Sequence, residues 1–388
     1  MDILGLTIMI PLLPFYAEKL GASPTQAGLL VGIYAACQLI SGPFLGRLSD
    51  SMGRKPLLIV SQAGTCAGFV LTAFATSLPV LFLARAIDGS TAGNLSLAQA
   101  YISDVTKPEE RTKAFGIIGI AFGIGFLIGP AISAMLARYN YTYPIWAAAA
   151  LSLTSMFTTW FLLPTVTPAG AGKGKRMTLL QWGTYGEYFK NPQLSSRLWQ
   201  FFVFSFGFSL FVGGLPLFLE RRLEWNGRPF AAEQVGYVWT YAGFLGIFLQ
   251  GPALGRLLKR FGEHRLNRVG FLAYSIGFAV LALCHNIPML VLSSTISALG
   301  SFVRPALTSL ITKAAPREEQ GVVLGLTQSL QSVAMITAPP LGGLLITNGL
   351  LTVWGFAAAA ITLLGFAMAS SSSQAMPEDV PKPVSATQ

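Results

Sequence analysis

Apolar residues occur along this chain in long blocks, and short polar segments separate the blocks. Each block is about twenty residues long, the length of α-helix that crosses a hydrocarbon layer roughly 30 Å thick. The segments between the blocks are rich in Gly, Pro and charged residues, which is typical of loops. The pattern predicts twelve transmembrane helices, at residues 1–19, 26–46, 56–76, 79–103, 113–137, 143–163, 197–219, 233–257, 266–285, 288–312, 320–346 and 350–373.

Composition restricts the class of protein. Hydrophobic residues make up 53% and charged residues 11% of the 388 residues, whereas a soluble domain has roughly 25% charged residues. A soluble protein of this length could not bury so much apolar surface in a core. Only helices or closed barrels pair all their backbone groups in lipid. Because the apolar blocks do not alternate as barrel strands do, we predict an all-α membrane protein.

The first apolar block is short at its start. A helix from Asp2 to Tyr16 is only about 21 Å long, and a complete span needs about six further residues before Asp2. We therefore expect the natural protein to begin upstream of Met1.

Positive charge is distributed unevenly between the predicted loops. The net charge of +10 could by itself indicate a nucleic-acid-binding protein. Eighteen Lys and Arg residues, however, fall in loops on the side of the 2–3 loop, against five on the other side. Positive residues favour the cytoplasmic side of a membrane. The charge pattern therefore predicts a bacterial inner (plasma) membrane protein with both termini cytoplasmic and no nucleic-acid partner.

The chain repeats itself at an offset of 209 residues. The pattern Gly-Pro-x-x-Gly-Arg-Leu at 42–48 recurs at 251–257, and Pro130 matches Pro339. The duplication predicts six-helix bundles at 1–163 and 197–375, a cytoplasmic linker at 164–196 and a disordered tail at 376–388. Duplicated halves of this kind commonly enclose a transport site at the membrane midplane and rock about it.

The loop between the second and third predicted helices has a distinctive sequence. Residues 46–56 read Gly-Arg-Leu-Ser-Asp-Ser-Met-Gly-Arg-Lys-Pro. The glycines permit a sharp turn, and Asp50 and Arg54 place opposite charges at the membrane surface. This loop, here called the signature loop, closely resembles that of the major facilitator superfamily. The resemblance implies twelve transmembrane helices in two pseudo-symmetric six-helix bundles.

Further segments refine the resemblance. Residues 85–89 resemble the family's fourth-helix motif, and the first helix looks like that of tetracycline-efflux-type drug:proton antiporters. The fifth helix carries a glycine pattern that resembles the antiporter motif, at Gly116, Gly125, Gly129 and Pro130. The resemblance implies proton-driven export, although ordinary close helix packing would also explain the glycines.

The resemblance also implies an inner gate at the signature loop. Arg54 is expected to pair with Asp104, and Asp50 to meet the second half of the chain. The expected gate residues are Gly46, Asp50, Gly53, Arg54, Lys55, Asp104 and Arg111. A single exposed ion pair contributes only about 0–1 kcal/mol, so gating requires the whole network. Simple anchoring of the loop is the alternative role.

Two features depart from the tetracycline exporters. Their third helix carries an Asp where this chain aligns Gly68, and the eighth and ninth predicted helices here lack an acid or His in their apolar parts. These departures argue against a tetracycline–metal chelate as the substrate while leaving the exporter class in place.

Charged residues inside predicted spans need a reason, because each costs at least roughly 2.5–3.5 kcal/mol on insertion scales. Arg85 and Asp88 lie three residues apart and so share a helix face. A carboxyl whose proton affinity changes with water access can couple proton entry to substrate exit. We predict Asp2 or Asp88 as the proton site and Arg85 as its partner. The alternative is a static Arg85–Asp88 ion pair that only holds helices together.

Polar side chains within the spans are expected to face a substrate cavity, since they avoid hydrocarbon. The predicted cavity residues are Gln38, Asn94, Arg304, Gln328 and Gln331. Arg304 could bind an anionic substrate, or it could extend to the membrane surface in a structural role.

These observations predict a monomeric proton-coupled antiporter that exports small amphipathic compounds or drugs by alternating access. The alternative is a major facilitator symporter or uniporter for a metabolite such as a sugar or an organic anion. The sequence contains only two His residues and no paired metal ligands, nucleophile motif or phosphate loop. We therefore expect no enzymatic activity, no metal and no cofactor. The expected partners are the substrate, protons and the lipid bilayer.

Overall fold

The computed structural model describes residues 1–106, 111–165, 186, 188–315 and 319–374. The first half forms helices α1 (Asp2–Lys19), α2 (Pro24–Met52), α3 (Arg54–Ala73), α4 (Leu78–Thr91), α5 (Asn94–Val105), α6 (Arg111–Ala137) and α7 (Thr142–Leu162). The second half forms α8 (Pro192–Arg222), α9 (Ala232–Phe248), α10 (Leu254–Ala282), α11 (Ile287–Ala298), α12 (Val303–Ala314), α13 (Gln320–Thr347) and α14 (Leu351–Gln374). A two-residue hairpin pairs Glu224–Trp225 with Arg228–Pro229.

Eight helical segments of the described chain are long and apolar enough to cross a membrane. The remaining four predicted passes are the first, fourth, eighth and ninth. Charged ends shorten the apolar part of α1, and the fourth pass is divided between α4 and α5. A π-helical turn at Leu249–Ala253 separates α9 from α10, which itself kinks at Gly262. Twelve passes are consistent with these helices and stay a prediction.

The fourth pass, predicted as one helix at 79–103, is broken at Ala92 and Gly93. Ser61 of α3 bridges the break by accepting a hydrogen bond from the Gly93 N–H at 2.9 Å and donating one to the Thr91 carbonyl. Gln38 Nε2 donates to the Ala92 carbonyl at 3.2 Å. Neighbouring helices therefore satisfy the backbone groups that the break releases, as a membrane-spanning segment requires.

The tenth pass, predicted as one helix at 288–312, stays continuous but tightens at the corresponding place. Adding the repeat offset of 209 to Ala92 and Gly93 gives Ser301 and Phe302. Both lie in the 3₁₀ turn Leu299–Phe302, which joins α11 to α12. The two halves therefore both depart from a regular α-helix at this point, and the first half departs further.

The halves pack tightly at the end of the molecule opposite the signature loop. An added Cβ on Gly28 of α2 would collide with the backbone of Pro339 of α13, and one on Gly243 of α9 would collide with Phe126 of α6. The hydroxyls of Thr25 and Thr347 lie 3.0 Å apart across the same interface.

The signature-loop side is more open. An added Cβ on Gly42, Gly46, Gly255 or Gly325 would meet no described residue within 4 Å. The structure is therefore a conformation closed on the opposite side and open on the signature-loop side. The predicted linker and tail lie mostly outside the described residues, and the domain boundaries stay predictions.

Candidate functional site

An ion pair is buried within the fourth pass. Arg85 Nη2 lies 3.0 Å from Asp88 Oδ2, and both residues are 4% exposed. The Arg85 guanidinium carbon is also 5.9 Å from the ring centroids of Tyr34 and Phe69, within cation–π range. Arg85 on α4 is therefore held by side chains of α2 and α3.

Gly68 of α3 lies directly against this pair. A Cβ added there would be 2.8 Å from the Asp88 Cβ and 3.2 Å from the Ala84 carbonyl oxygen. Asp88 and α4 therefore occupy the space that a side chain at position 68 would need. The third helix, α3, has no acid here, and the acid at the same point is Asp88 on the neighbouring helix α4.

Asp2 lies in a separate site. Gln62 Nε2 donates to Asp2 Oδ2 at 3.1 Å and lies 3.0 Å from Ser155 Oγ. Gln62 and Gly68 are six residues apart on α3, a rise of about 9 Å. The structure therefore does not join Asp2 to the Arg85–Asp88 pair, and Ser155 is a contact that the sequence analysis missed.

The signature loop forms the expected ion pair with α5. Arg54 Nε lies 2.9 Å from Asp104 Oδ2, and Arg54 Nη1 lies 2.6 Å from Asp50 Oδ1. Gly53 joins α2 to α3 with a φ of 96°, which favours glycine. Gly46 has open space around it, and Lys55 is half-buried in the first turn of α3. Arg111 begins α6, but its side chain lies outside the described part of the chain.

Among the described residues, Asp50 forms no ion pair with the second half, contrary to the expectation from the resemblance. The Asp50 side chain is 62% exposed and pairs with Arg54 of its own half. The physical reason is the opening between the halves on the signature-loop side.

The second half carries a charge-inverted copy of this ion-pair set. Adding 209 to Asp50, Arg54 and Asp104 gives the second set, Lys259, Glu263 and Lys313. Lys313 Nζ contacts Glu263 Oε1, which also accepts a hydrogen bond from Ser309 Oγ at 3.2 Å. The hydrogen bond from Lys313 lowers the pKa of the Glu263 carboxyl because it stabilises the charged form. The sequence analysis missed this pair, although the repeat offset alone could have located it.

The glycine motif of α6 brings α1 close. A Cβ on Gly129 would collide with Thr7, and one on Gly125 would be 2.6 Å from Ile3 Cγ2. Thr7 Oγ1 donates to the Gly125 carbonyl at 2.8 Å. Pro130 lies on the side of α6 facing α9, where its carbonyl oxygen would be 2.8 Å from a Cβ on Gly236. The surroundings of Gly116 lie outside the described residues.

The predicted cavity residues divide into two groups. Gln38 donates a hydrogen bond to the backbone at the break in the fourth pass. Asn94, next to the break, has its Nδ2 3.4 Å from Thr65 Oγ1. In the second half, Arg304 Nη2 donates to Gln331 Oε1 at 3.1 Å. Gln328 is exposed and lies one turn from Gln331 on the same face of α13.

Comparisons with known proteins identify the family. The sequence model of the Major Facilitator Superfamily matches residues 1–283 and 230–386 of the chain. The class H tetracycline resistance protein of Pasteurella multocida is 29% identical over 87% of this chain and 84% of its own length. Multidrug resistance protein 2 of Bacillus subtilis is 26% identical over 88% of this chain and 85% of its own length.

A solved structure with the same fold is a bacterial homologue of the human lysosomal transporter Spinster, in an inward-facing and occupied conformation. Its TM-score is 0.77 at 15% identity, covering 97% of this chain and 94% of that one. The chain belongs to the Major Facilitator Superfamily. It is a multi-pass all-α membrane transporter of small molecules rather than an enzyme, and its resemblance to efflux-type transporters is confirmed.

Proposed function

We propose that the protein is a proton-coupled antiporter that exports small amphipathic compounds or drugs by alternating access. The buried Arg85–Asp88 pair carries this proposal, because ionisable residues within a membrane-spanning segment are costly and therefore indicate a functional site. Relatives named for tetracycline and multidrug resistance support export as the direction. The protein acts as a monomer in a bacterial inner membrane, with both termini cytoplasmic and no nucleic-acid partner.

Proton binding at Asp88 supplies the coupling step in this proposal. Protonation removes the negative charge that faces Arg85 and weakens the pair. The Arg85 guanidinium then remains held by the rings of Tyr34 on α2 and Phe69 on α3. Helix α2 also packs against α13 of the second half. A movement of Arg85 that displaces α2 therefore changes the interface about which the halves rock.

The two inverted ion-pair sets supply the inner gate. The first, Asp50, Arg54 and Asp104, has a formal charge of −1 (two acids and one base). The second, Lys259, Glu263 and Lys313, has a formal charge of +1 (two bases and one acid). When the halves close on the cytoplasmic side, the exposed carboxylate of Asp50 meets the basic residues Lys259 and Lys313 of the second set. Gly46, Gly53, Lys55 and Arg111 shape the same gate.

Proton coupling can be tested in inside-out membrane vesicles from an efflux-deficient bacterium that expresses the chain. A pH-sensitive dye reports protons leaving the vesicle lumen when toxic compounds are added from a panel. We expect Asp88→Asn, which keeps the size of the side chain and removes its charge, to abolish compound-driven proton movement. Asp2→Asn tests the second predicted proton site, and Glu233→Gln at the opposite side is the matched control.

Two results would contradict the proposal. Proton movement that persists unchanged in both Asn variants would exclude these carboxyls as the coupling site. Accumulation of the compounds inside intact cells, rather than protection from them, would indicate the alternative metabolite symporter or uniporter.

A further inference from the structure

The exposed face of α12 is polar along its length. Arg304, Thr308 and Thr312 follow one another at intervals of four residues, so they form one stripe. Val303, Leu307 and Ile311 lie on the buried face. A helix surface in contact with lipid is apolar, because hydrocarbon does not solvate polar groups. The stripe therefore lines the water-accessible space that opens towards the signature-loop side.

Arg304 brings a positive charge into this space without an acidic partner. Its Nη2 donates to Gln331, a neutral amide. None of the ion pairs in the described chain includes Arg304. The two acids within the first-half spans have other partners, because Asp88 pairs with Arg85 and Asp2 accepts a hydrogen bond from Gln62. A guanidinium has five N–H donors and no acceptor. Arg304 can therefore donate to a further anionic acceptor without breaking a described ion pair.

An aromatic surface begins beside Arg304. Tyr274 of α10 packs against Gly300, in the 3₁₀ turn just before α12, so closely that an added Cβ would collide with its ring. Tyr274 lies 5.3 Å from Phe278 and 6.1 Å from Phe208, between ring centroids. Phe208 is half-buried, whereas Tyr274 is almost fully buried. A cation thus lies next to an apolar aromatic wall.

We propose that Arg304 and Gln331 bind the anionic group of an amphipathic aromatic substrate. The guanidinium matches a carboxylate, which can accept two parallel N–H bonds. Phe208 contacts the apolar part of the compound and is supported from behind by Tyr274, and Gln328 donates from the adjacent turn. This assignment rests on the proposed export function and specifies its substrate class as organic anions with an aromatic body.

Matched pairs of ligands test the assignment directly. The full chain is purified in nanodiscs of phosphatidylcholine, which has no net charge and does not compete for a cation. Calorimetry measures binding of benzoate, salicylate, 1-naphthoate and indole-3-acetate, and of the corresponding uncharged amides. We expect at least one acid to bind more tightly than its amide.

Substitution of Arg304 then tests whether this residue binds the carboxylate. Because a hydrogen bond to a charged group contributes about 1.5–3 kcal/mol, Arg304→Gln is expected to weaken acid binding about tenfold or more and to leave the amide unaffected. Arg304→Lys retains part of the preference, since it keeps the charge but loses the bidentate geometry. Arg138→Gln, at an exposed arginine next to Tyr139, is the control and should change nothing.

Other outcomes separate this inference from the proposed function. If neutral or cationic compounds are exported while no acid binds, the anion assignment is wrong and the export function stands. The anion assignment is also wrong if Arg304→Gln weakens acid and amide binding equally. It is wrong as well if Arg304 binds added phosphatidylglycerol more tightly than any of the acids. If acids bind but vesicles export nothing, the export function fails and the anion site stands.

Discussion

Asp88 has room beside Arg85 because the facing residue on α3 is Gly68. The lack of a side chain at position 68 leaves the space that Asp88 occupies. The same close approach that accommodates the buried ion pair also fixes the distance between α3 and α4.

We expect Gly68→Val to destabilise the protein by about 1–3 kcal/mol, because the new side chain overpacks the contact with Asp88 and Ala84. The measurement is the thermal unfolding midpoint of the purified protein in detergent. Gly42→Val is the control, since an added Cβ there has no neighbour within 4 Å in the part of the chain that the structure describes. Equal midpoints for the two variants would contradict the packing argument.

Individual residues were predicted from the sequence to different degrees. The Arg54–Asp104 ion pair is present at 2.9 Å, and the family resemblance implied it, although Asp104 lies outside the signature loop. Gln38 and Asn94 were recognised as polar residues within spans, but their orientation towards the helix break was not. Hydropathy shows that a polar side chain needs a partner in the membrane without showing which partner it has.

At the scale of helices, the interruption of the fourth pass is the main feature that the sequence analysis did not predict. Residues 88–94 read Asp-Gly-Ser-Thr-Ala-Gly-Asn, a polar run with two glycines of the kind that marks a loop. The apolar residues on both sides of this run made 79–103 read as one continuous span. The run is a local signal of the break, whereas its hydrogen-bond partner Ser61, about thirty residues earlier, is brought to it only by the fold.

We expect Ser61→Ala to destabilise the broken helix. It removes the side-chain partner of the Gly93 N–H and the Thr91 carbonyl, which still contact each other at 2.7 Å, so we expect a loss of about 0.5–1.5 kcal/mol for each hydrogen bond. Thermal unfolding in detergent measures the loss. Ser51→Ala is the matched control, because this exposed hydroxyl bonds only within its own helix. A variant as stable as the control would indicate that the break does not require the serine.

At the scale of the whole molecule, contacts between the halves close the side opposite the signature loop. Arg221 Nη2 lies 2.5 Å from Glu18 Oε1, which joins the end of α8 to the end of α1. Together with the Thr25–Thr347 contact, this ion pair joins the two halves at their rims. Alternating access requires these contacts to separate in every cycle.

A disulfide across this rim should arrest transport. The Thr25 and Thr347 hydroxyl oxygens are 3.0 Å apart, so two cysteine sulfurs at these positions need to approach by only about a further 1 Å to reach the S–S bond length of about 2.05 Å. We expect the double variant Thr25→Cys/Thr347→Cys to lose export activity on oxidation and to recover it on reduction. The two single variants are controls for loss of the threonines. Full activity in the oxidised double variant would show that this side does not need to open.

The inverted ion-pair sets also bear on how a duplicated gene can diverge. Two identical copies of the first half would place like charges against each other at the signature-loop side, with Asp50 of each copy facing an acidic partner. With Lys259, Glu263 and Lys313 at the corresponding positions of the second half, the two halves are not interchangeable. A chimera that carries the first half twice is thus expected to repel itself at that side, so each half has become obligatory to the other.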